Sequence, residues 1–418
     1  MSRYIINGGN RLSGEVMLSG AKNAVLPILC ACLLCAEGTV TLSNCPDISD
    51  VTYTLSVLRR LGCKVYASHG QITVNAESAE FKPLDCDEMG MLRSTALFLG
   101  ACIGRFAVAE QCLPGGCELG ARPIDMHLLA FSQMGSTVSQ TENNVKCTGC
   151  THSADITLRF PSVGATQNII LASALGKSEV TIRGAAREPE IVDMCNFINA
   201  MGGKIKGAGT DIIIVQGVEK LRGVNYNVMC DRIEAATFKA AALVTGGNIT
   251  VRGAEFAQVR SFADVLVSCG GTAVFCGDSV TVSRAGPFLV ALPYIETAPF
   301  PGFATDTQSI ALALLSVCRG VSCVRERIFS DRLRLAYELN KMGADITVLG
   351  DRAYVNGVTS LFGAEVSACD LRSGAALTVA ALGAHGKSIV RGVHHIHRGY
   401  ENFDKKLRAL GADITEEY

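Results

Sequence analysis

Apolar residues come along this chain in two alternating kinds of run. One kind is apolar on nearly every side of a helical projection and predicts helices buried all round, over Ala24–Cys35, Ser94–Cys102, Ala165–Leu175, Ala235–Thr245, Gln308–Cys318 and Ser373–Leu382. The other keeps polar residues on one side and predicts amphipathic helices, over Val51–Leu61, Pro123–Met134, Glu190–Met201, Gln258–Cys269, Asp331–Met342 and Gly399–Leu410. Short β-branched runs between them, such as Glu179–Arg183, Asn248–Arg252 and Ser388–Arg391, predict strands. Each amphipathic run closes on a glycine: Gly62, Gly135, Gly202, Gly270, Gly343 and Gly411. The unit therefore recurs with a period of roughly 70 residues, too long for a solenoid repeat.

Helices without a polar face must be wrapped by other elements, so the pattern predicts an α/β protein of two similar lobes, three repeats in each. The break is expected near Asp231, with residues 22–230 forming the first lobe. The opening segment has its own strand-like run, Glu15–Ser19, and the sixth repeat is short of a partner strand. Residues 1–21 are therefore expected to join 231–418 in the second lobe, with a hinge at the crossings near Gly20 and Asp231. Polar and charged residues precede each buried run: Lys22-Asn23, Arg93-Ser94, Ser162 with Gly164, Asp231-Arg232-Glu234, Thr305-Asp306, and Asp370 with Arg372. Helix N-termini carry partial positive charge, and several pointing at one place make an anion site before side chains are counted. Lys22, Arg93, Arg122, Arg332, Arg372 and Arg398 would add formal charge there. Any one of them reads equally well as a solvated or capping charge; their recurrence at matching points favours a site.

Composition agrees and removes some classes of function. A chain of 418 residues suits two domains of about 200 residues each, and 48% hydrophobic with 18% charged residues means a large interior. Net charge is −1 with both signs interspersed, so the basic stripe of a nucleic-acid binder is missing. The 18 cysteines are scattered, many within apolar runs, and show no zinc-ligand spacing. The opening Met1–Ile5 does not read as a signal peptide, and the longest apolar stretch, Ala24–Ala36, is short of the ~20 residues that span a bilayer. The expectation is a cytoplasmic protein with reduced thiols, binding neither nucleic acid nor membrane and needing no obligate protein partner.

Eight motifs in order then resemble one family along the whole chain: Ser19–Ala24, Leu113–Pro123, Ser162–Thr166, Ala185–Asp193, Asp231–Glu234, Thr305-Asp306, Asp370–Arg372 and Arg398–Tyr400. The resemblance is to the enolpyruvyl transferases, in particular the branch acting on UDP-N-acetylglucosamine. It implies a two-lobed inside-out α/β barrel that closes on substrate. It also implies transfer of the enolpyruvyl group of phosphoenolpyruvate to the sugar 3-hydroxyl with release of phosphate, the first committed step of peptidoglycan synthesis. By resemblance Lys22, Arg122 and Arg398 hold the donor phosphate, and Arg332 and Arg372 its carboxylate, for which guanidinium forks are suited. Asp306 becomes the base for the sugar hydroxyl; on sequence alone Thr305 or Asp306 also fits a helix N-cap. Cys117, after two glycines and five residues before Arg122, matches the family's proton donor to the enol carbon, and a nearby cation favours its thiolate. Arg93, Arg122, Pro123, Ile124, Asp125, Met126, Ser162, Val163, Gly164 and Ile328 are implied for the nucleotide sugar, with Asn23 near the reacting hydroxyl. No metal or cofactor is required, because side chains supply the charge.

The chain departs from the family pattern in three places. Arg159-Phe160-Pro161 lacks the lysine expected just before the Ser-Val-Gly turn, Ser330-Asp331-Arg332 replaces a Glu-Asn-Arg, and His397 stands before Arg398 where an acidic residue is common. His127 and the other histidines are read as structural. Two alternatives are weighed: the sister branch accepting shikimate 3-phosphate, which lacks the cysteine-bearing loop, and a catalytically silent paralogue that binds the nucleotide sugar.

Overall fold

The computed structural model describes residues 2–84, 93–112, 124–253 and 255–417; of Arg93, Ser94, Phe256 and Ser330 only the backbone is described. It is an α/β protein. The buried runs form the helices Lys22–Cys32, Leu97–Phe106, Val163–Ser173, Arg232–Val244, Thr305–Leu315 and Leu371–Gly383. In Arg232–Val244 every residue from Arg232 to Leu243 is buried, the outcome expected of a helix with no polar face. The first of these helices starts at Lys22 and ends at Cys32, three residues short of the expected end, because Cys35–Glu37 is drawn off as a strand.

Each repeat also makes a sheet of one pattern. A central strand pairs in parallel with one neighbour and antiparallel with another, which carries a further antiparallel strand. Thr39–Ser43, for example, lies between Asn225–Asn227 (parallel) and Gln71–Asn75 (antiparallel), and Lys64–Ser68 completes the order. The same arrangement is built on Glu179–Arg183, Asn248–Arg252, Val321–Arg325 and Lys387–Arg391, and on Val108–Cys112, whose parallel neighbour is reduced to a bridge at Leu84. Alternation decides the faces: in Thr39–Ser43 only Val40 and Leu42 are buried.

Two compact units result. Among described residues, one runs from Gly20 to Met229 and packs one hydrophobic core, in which residues from Ala21 to Val228 take part. Its third repeat returns to its first through Asn225–Asn227. The other takes the chain up to Ser19 and from Cys230 onward, around a second core running from Tyr4 to Leu18 and from Ala235 to Ile414. Here the opening segment supplies two missing strands. Ser13–Met17 lies parallel to Asn248–Arg252, and Arg3–Asn7 sits between Lys387–Arg391 and Asp413–Glu417, antiparallel to both.

The six closing glycines all have positive φ, from +86° at Gly62 and Gly343 to +102° at Gly202. That left-handed conformation ends a helix and disfavours any residue with a Cβ. Two amphipathic helices differ from expectation. The fifth begins as a 3-10 turn, Ser330–Arg334, before the α-helix Leu335–Lys341. The sixth covers only Phe403–Ala409 of the expected Gly399–Leu410, after a separate short helix, Val393–Ile396, that precedes that range. Asn402 separates them at φ +49°, a conformation asparagine tolerates because its side chain can bond locally. Fifteen of the described cysteines are free thiols. Among the described residues no helix is long and apolar enough to cross a membrane.

Candidate functional site

In the unit from Gly20 to Met229 the candidate residues stand at helix starts. Lys22 opens Lys22–Cys32, half-buried beside Asn23. Its ammonium lies 2.6 Å from the Asp50 carboxylate, and that acid is almost wholly enclosed in the first turn of Ser49–Arg60. Pattern reading missed Asp50; the signal was an acid at the N-terminus of an amphipathic helix, too common to single out.

Ser162 caps Val163–Ser173, its hydroxyl accepting from the Ala165 amide at 3.3 Å. Gly164 brings this start against the neighbouring Asp125–Gln133 helix: a Cβ on it would lie 3.1 Å from the buried His127 ring. The His127 Nδ1 is 2.7 Å from the Asn168 amide nitrogen. Asn168 also donates to the Ala96 carbonyl at 2.9 Å and accepts from the Gly100 amide at 2.8 Å. A buried asparagine inside an apolar helix thus holds three helix starts together: Asp125 with Met126 after the buried Ile124, Ser162 to Gly164, and the turn Arg93–Ala96. Arg159 turns back to pair with Asp125, while Phe160, standing where the family pattern has a lysine, is 40% exposed. Cys117, Arg122 and Pro123 lie outside the described residues, as does the whole Leu113–Pro123 motif; of Arg93 only the backbone is described.

In the other unit three predicted residues meet. Asp306, in the first turn of Thr305–Leu315, accepts from Arg332 Nη2 at 2.7 Å and from Arg372 Nε at 3.4 Å. It does not cap the helix, whose N-cap is Ala304. Arg332 and Arg372 are 4% and 5% exposed, and Arg332 Nη1 also donates to the Thr305 carbonyl at 2.5 Å. Burial alone would raise the Asp306 pKa, but Arg372 and Arg332, with Arg232 adding, reverse this and hold the carboxyl well below the usual range. Asp306 thus meets three arginines, and Asp231 is a second carboxylate acting on Arg372. Asp370 caps Leu371–Gly383 in a capping box with Ser373, which places Arg372. Asp231 likewise caps Arg232–Val244 through the Ile233 and Glu234 amides. Ile328 lies half-buried in the loop after Val321–Arg325, and Arg398 half-buried after Val393–Ile396.

Comparisons with known proteins cover the whole chain. The family model described as EPSP synthase (3-phosphoshikimate 1-carboxyvinyltransferase) matches residues 6–407. UDP-N-acetylglucosamine 1-carboxyvinyltransferase 2 of Carboxydothermus hydrogenoformans is 42% identical over 416 residues, 99% of each chain. That of Clostridium acetobutylicum is 40% identical over 418 residues, 100% of each. Among solved structures, the enolpyruvyl transferase NikO from Streptomyces tendae superimposes with a TM-score of 0.89 at 26% identity, over 100% of this chain and 99% of that one. An EPSP synthase from Acinetobacter baumannii gives 0.77 at 18% identity, over 100% of both chains, a likeness of fold alone.

Proposed function

The chain belongs to the EPSP synthase family, and on that premise we propose that it transfers the enolpyruvyl group of phosphoenolpyruvate to the 3-hydroxyl of UDP-N-acetylglucosamine, releasing phosphate. The observation that carries this reading is identity of 40–42% along the full chain with relatives named for that activity. The sister activity on shikimate 3-phosphate is named in the description of the family as a whole and by fold neighbours at only 18–19% identity. The reaction is the first committed step of peptidoglycan synthesis, and we place it in the cytoplasm. We read the two units as two inside-out barrel lobes, residues 22–230 and residues 1–21 with 231–418.

The hydroxyl oxygen attacks C2 of the donor while C3 takes up a proton. Loss of a C3 proton and of phosphate from the resulting adduct then restores the double bond. In our reading Cys117 delivers the C3 proton, and Lys22, Arg122 and Arg398 bind the phosphate. Arg332 and Arg372 bind the donor carboxylate. Asn23, Arg93, Pro123 to Met126, Ser162 to Gly164 and Ile328 hold the nucleotide sugar. The pairing at Asp306 gives the order of events a physical basis. A carboxylate held by two guanidinium groups is a weak base. When the donor carboxylate takes over Arg332 and Arg372, Asp306 loses their stabilisation and its proton affinity rises where the hydroxyl must be deprotonated. Phosphate release from phosphoenolpyruvate is the test. Release that depends on UDP-N-acetylglucosamine is expected; release that needs shikimate 3-phosphate instead, or none with either acceptor, refutes the function.

A further inference from the structure

Outside the residues named so far, one buried carboxylate gathers more donors than packing would require. Glu326 is 2% exposed and follows the central strand Val321–Arg325. Its Oε1 accepts from the Thr297 hydroxyl at 2.9 Å and from the Ile328 and Phe329 amides at 2.8 and 3.0 Å. Its Oε2 accepts from the Thr305 hydroxyl at 2.9 Å. The Thr297 hydroxyl in turn accepts from the Arg327 amide at 2.9 Å. Three consecutive backbone amides, 327 to 329, are thus held directly or through one hydroxyl. An ionised carboxylate only accepts, with room for about four donors, so this one is filled from both sides.

The bonds close a ring. The Phe329 carbonyl accepts from the Arg332 amide at 3.1 Å, fixing the start of the turn that carries Arg332. The Arg332 side chain returns to the Thr305 carbonyl, and the Thr305 hydroxyl returns to Glu326. Asp306 is the next residue and bonds Arg332. We propose that Glu326 is a positioning residue for the transfer: it sets the Arg327–Phe329 loop that presents Ile328 and locks that loop to Arg332 and Asp306. Resting on the proposed function, this couples the acceptor side, at Ile328, to the donor side and the base. A loop with no regular structure has no ladder of its own to hold it, and misplacement by about 1 Å can cost about 10²-fold in rate.

Three variants test it, with turnover, urea stability and backbone amide exchange read on each. Glu326→Ala should lower kcat/KM by about 10²-fold and speed exchange at Ile328 and Phe329 by about tenfold or more, since both amides lose their acceptor. Glu326→Gln keeps an oxygen for the Oε1 donors and an amide that can donate to the Thr305 hydroxyl, so it should restore exchange protection, the KM for UDP-N-acetylglucosamine and most of kcat. Thr305→Val cuts only the Oε2 link and should reduce kcat with that KM unchanged. Turnover within twofold of wild type in Glu326→Ala, with exchange accelerated, would make Glu326 a purely structural group and overturn the proposal. If Glu326→Ala does not fold, Thr305→Val decides: unreduced kcat in it overturns the proposal. Should the wild-type chain show no turnover, the function fails instead, and unchanged exchange in Glu326→Ala then overturns the positioning role by itself.

Discussion

Lys239 is fully enclosed in the middle of Arg232–Val244, and among described residues its ammonium makes one hydrogen bond, to the Val259 carbonyl at 3.3 Å. Among the described residues no carboxylate answers the charge, and burial pushes its pKa down from 10.5 to about 7. At about 1.4 kcal/mol per pH unit, that difference disfavours the folded state by on the order of 4 kcal/mol at pH 7. The sign follows from proton counts. Between about 7 and 10.5 the unfolded chain holds the proton and the folded one has lost it, so stability rises with pH across that window and is insensitive to this group below it. Lys239→Met keeps the aliphatic stem and removes the charge, while the Val259 carbonyl, inside the helix Phe256–Ser268, keeps its helical partner. The variant should gain about 2–4 kcal/mol at pH 7, and the gain should shrink toward pH 10. Urea unfolding by circular dichroism at pH 7, 8 and 9 measures both, the wild-type curve climbing relative to the variant by up to about 1.4 kcal/mol per pH unit. Parallel pH dependences, or a variant less stable at pH 7, would refute the reasoning.

Asp306→Asn should cut turnover by roughly 10²–10⁴-fold. It should also lower stability, on the order of 3 kcal/mol, because Arg332 and Arg372 lose their counter-charge; kinetics with urea melts separate the two, and near-normal turnover would deny Asp306 the role of base. Asp50→Asn removes the carboxylate beside Lys22 and should raise the KM for phosphoenolpyruvate by about tenfold or more, with nucleotide-sugar affinity by calorimetry little changed; an unaltered KM rejects this. An epoxide shaped like the donor, such as fosfomycin, should modify Cys117 and spare the core thiols. Burial pushes those of Cys45, Cys102 and Cys195 up to about 12, and of Cys63 and Cys147 to about 11. Labelling should quicken with UDP-N-acetylglucosamine and be lost in Cys117→Ser along with most turnover. Peptide mapping that finds the adduct on exposed Cys150 or Cys276 instead, or full turnover in the Ser variant, removes Cys117 from the mechanism.

What the linear pattern determined by itself was local. Runs without a polar face could only become enclosed helices, and glycines closing amphipathic runs could only be left-handed caps, as their φ values show. Both follow from sterics and solvation over a few residues, so a short window suffices. The sequence also offered Asp306 and Arg372 at helix starts, and the family resemblance added Arg332 as a site candidate. It could not say that the three meet, nor that Asp306 is neutralised there instead of capping its helix, since they come from repeats five and six and only packing brings them within bonding distance. Asp50, Asn168 and Glu326 were invisible for the same reason: each is an ordinary polar residue in sequence, and its weight comes from partners up to 72 residues away. The sixth amphipathic helix was misread because its periodicity continues through Gly399 and Asn402, while the fold turns the chain there. Hydrophobic period and turn chemistry are written residue by residue; the pairing of buried charges is a property of distance, which exists only once the chain has folded.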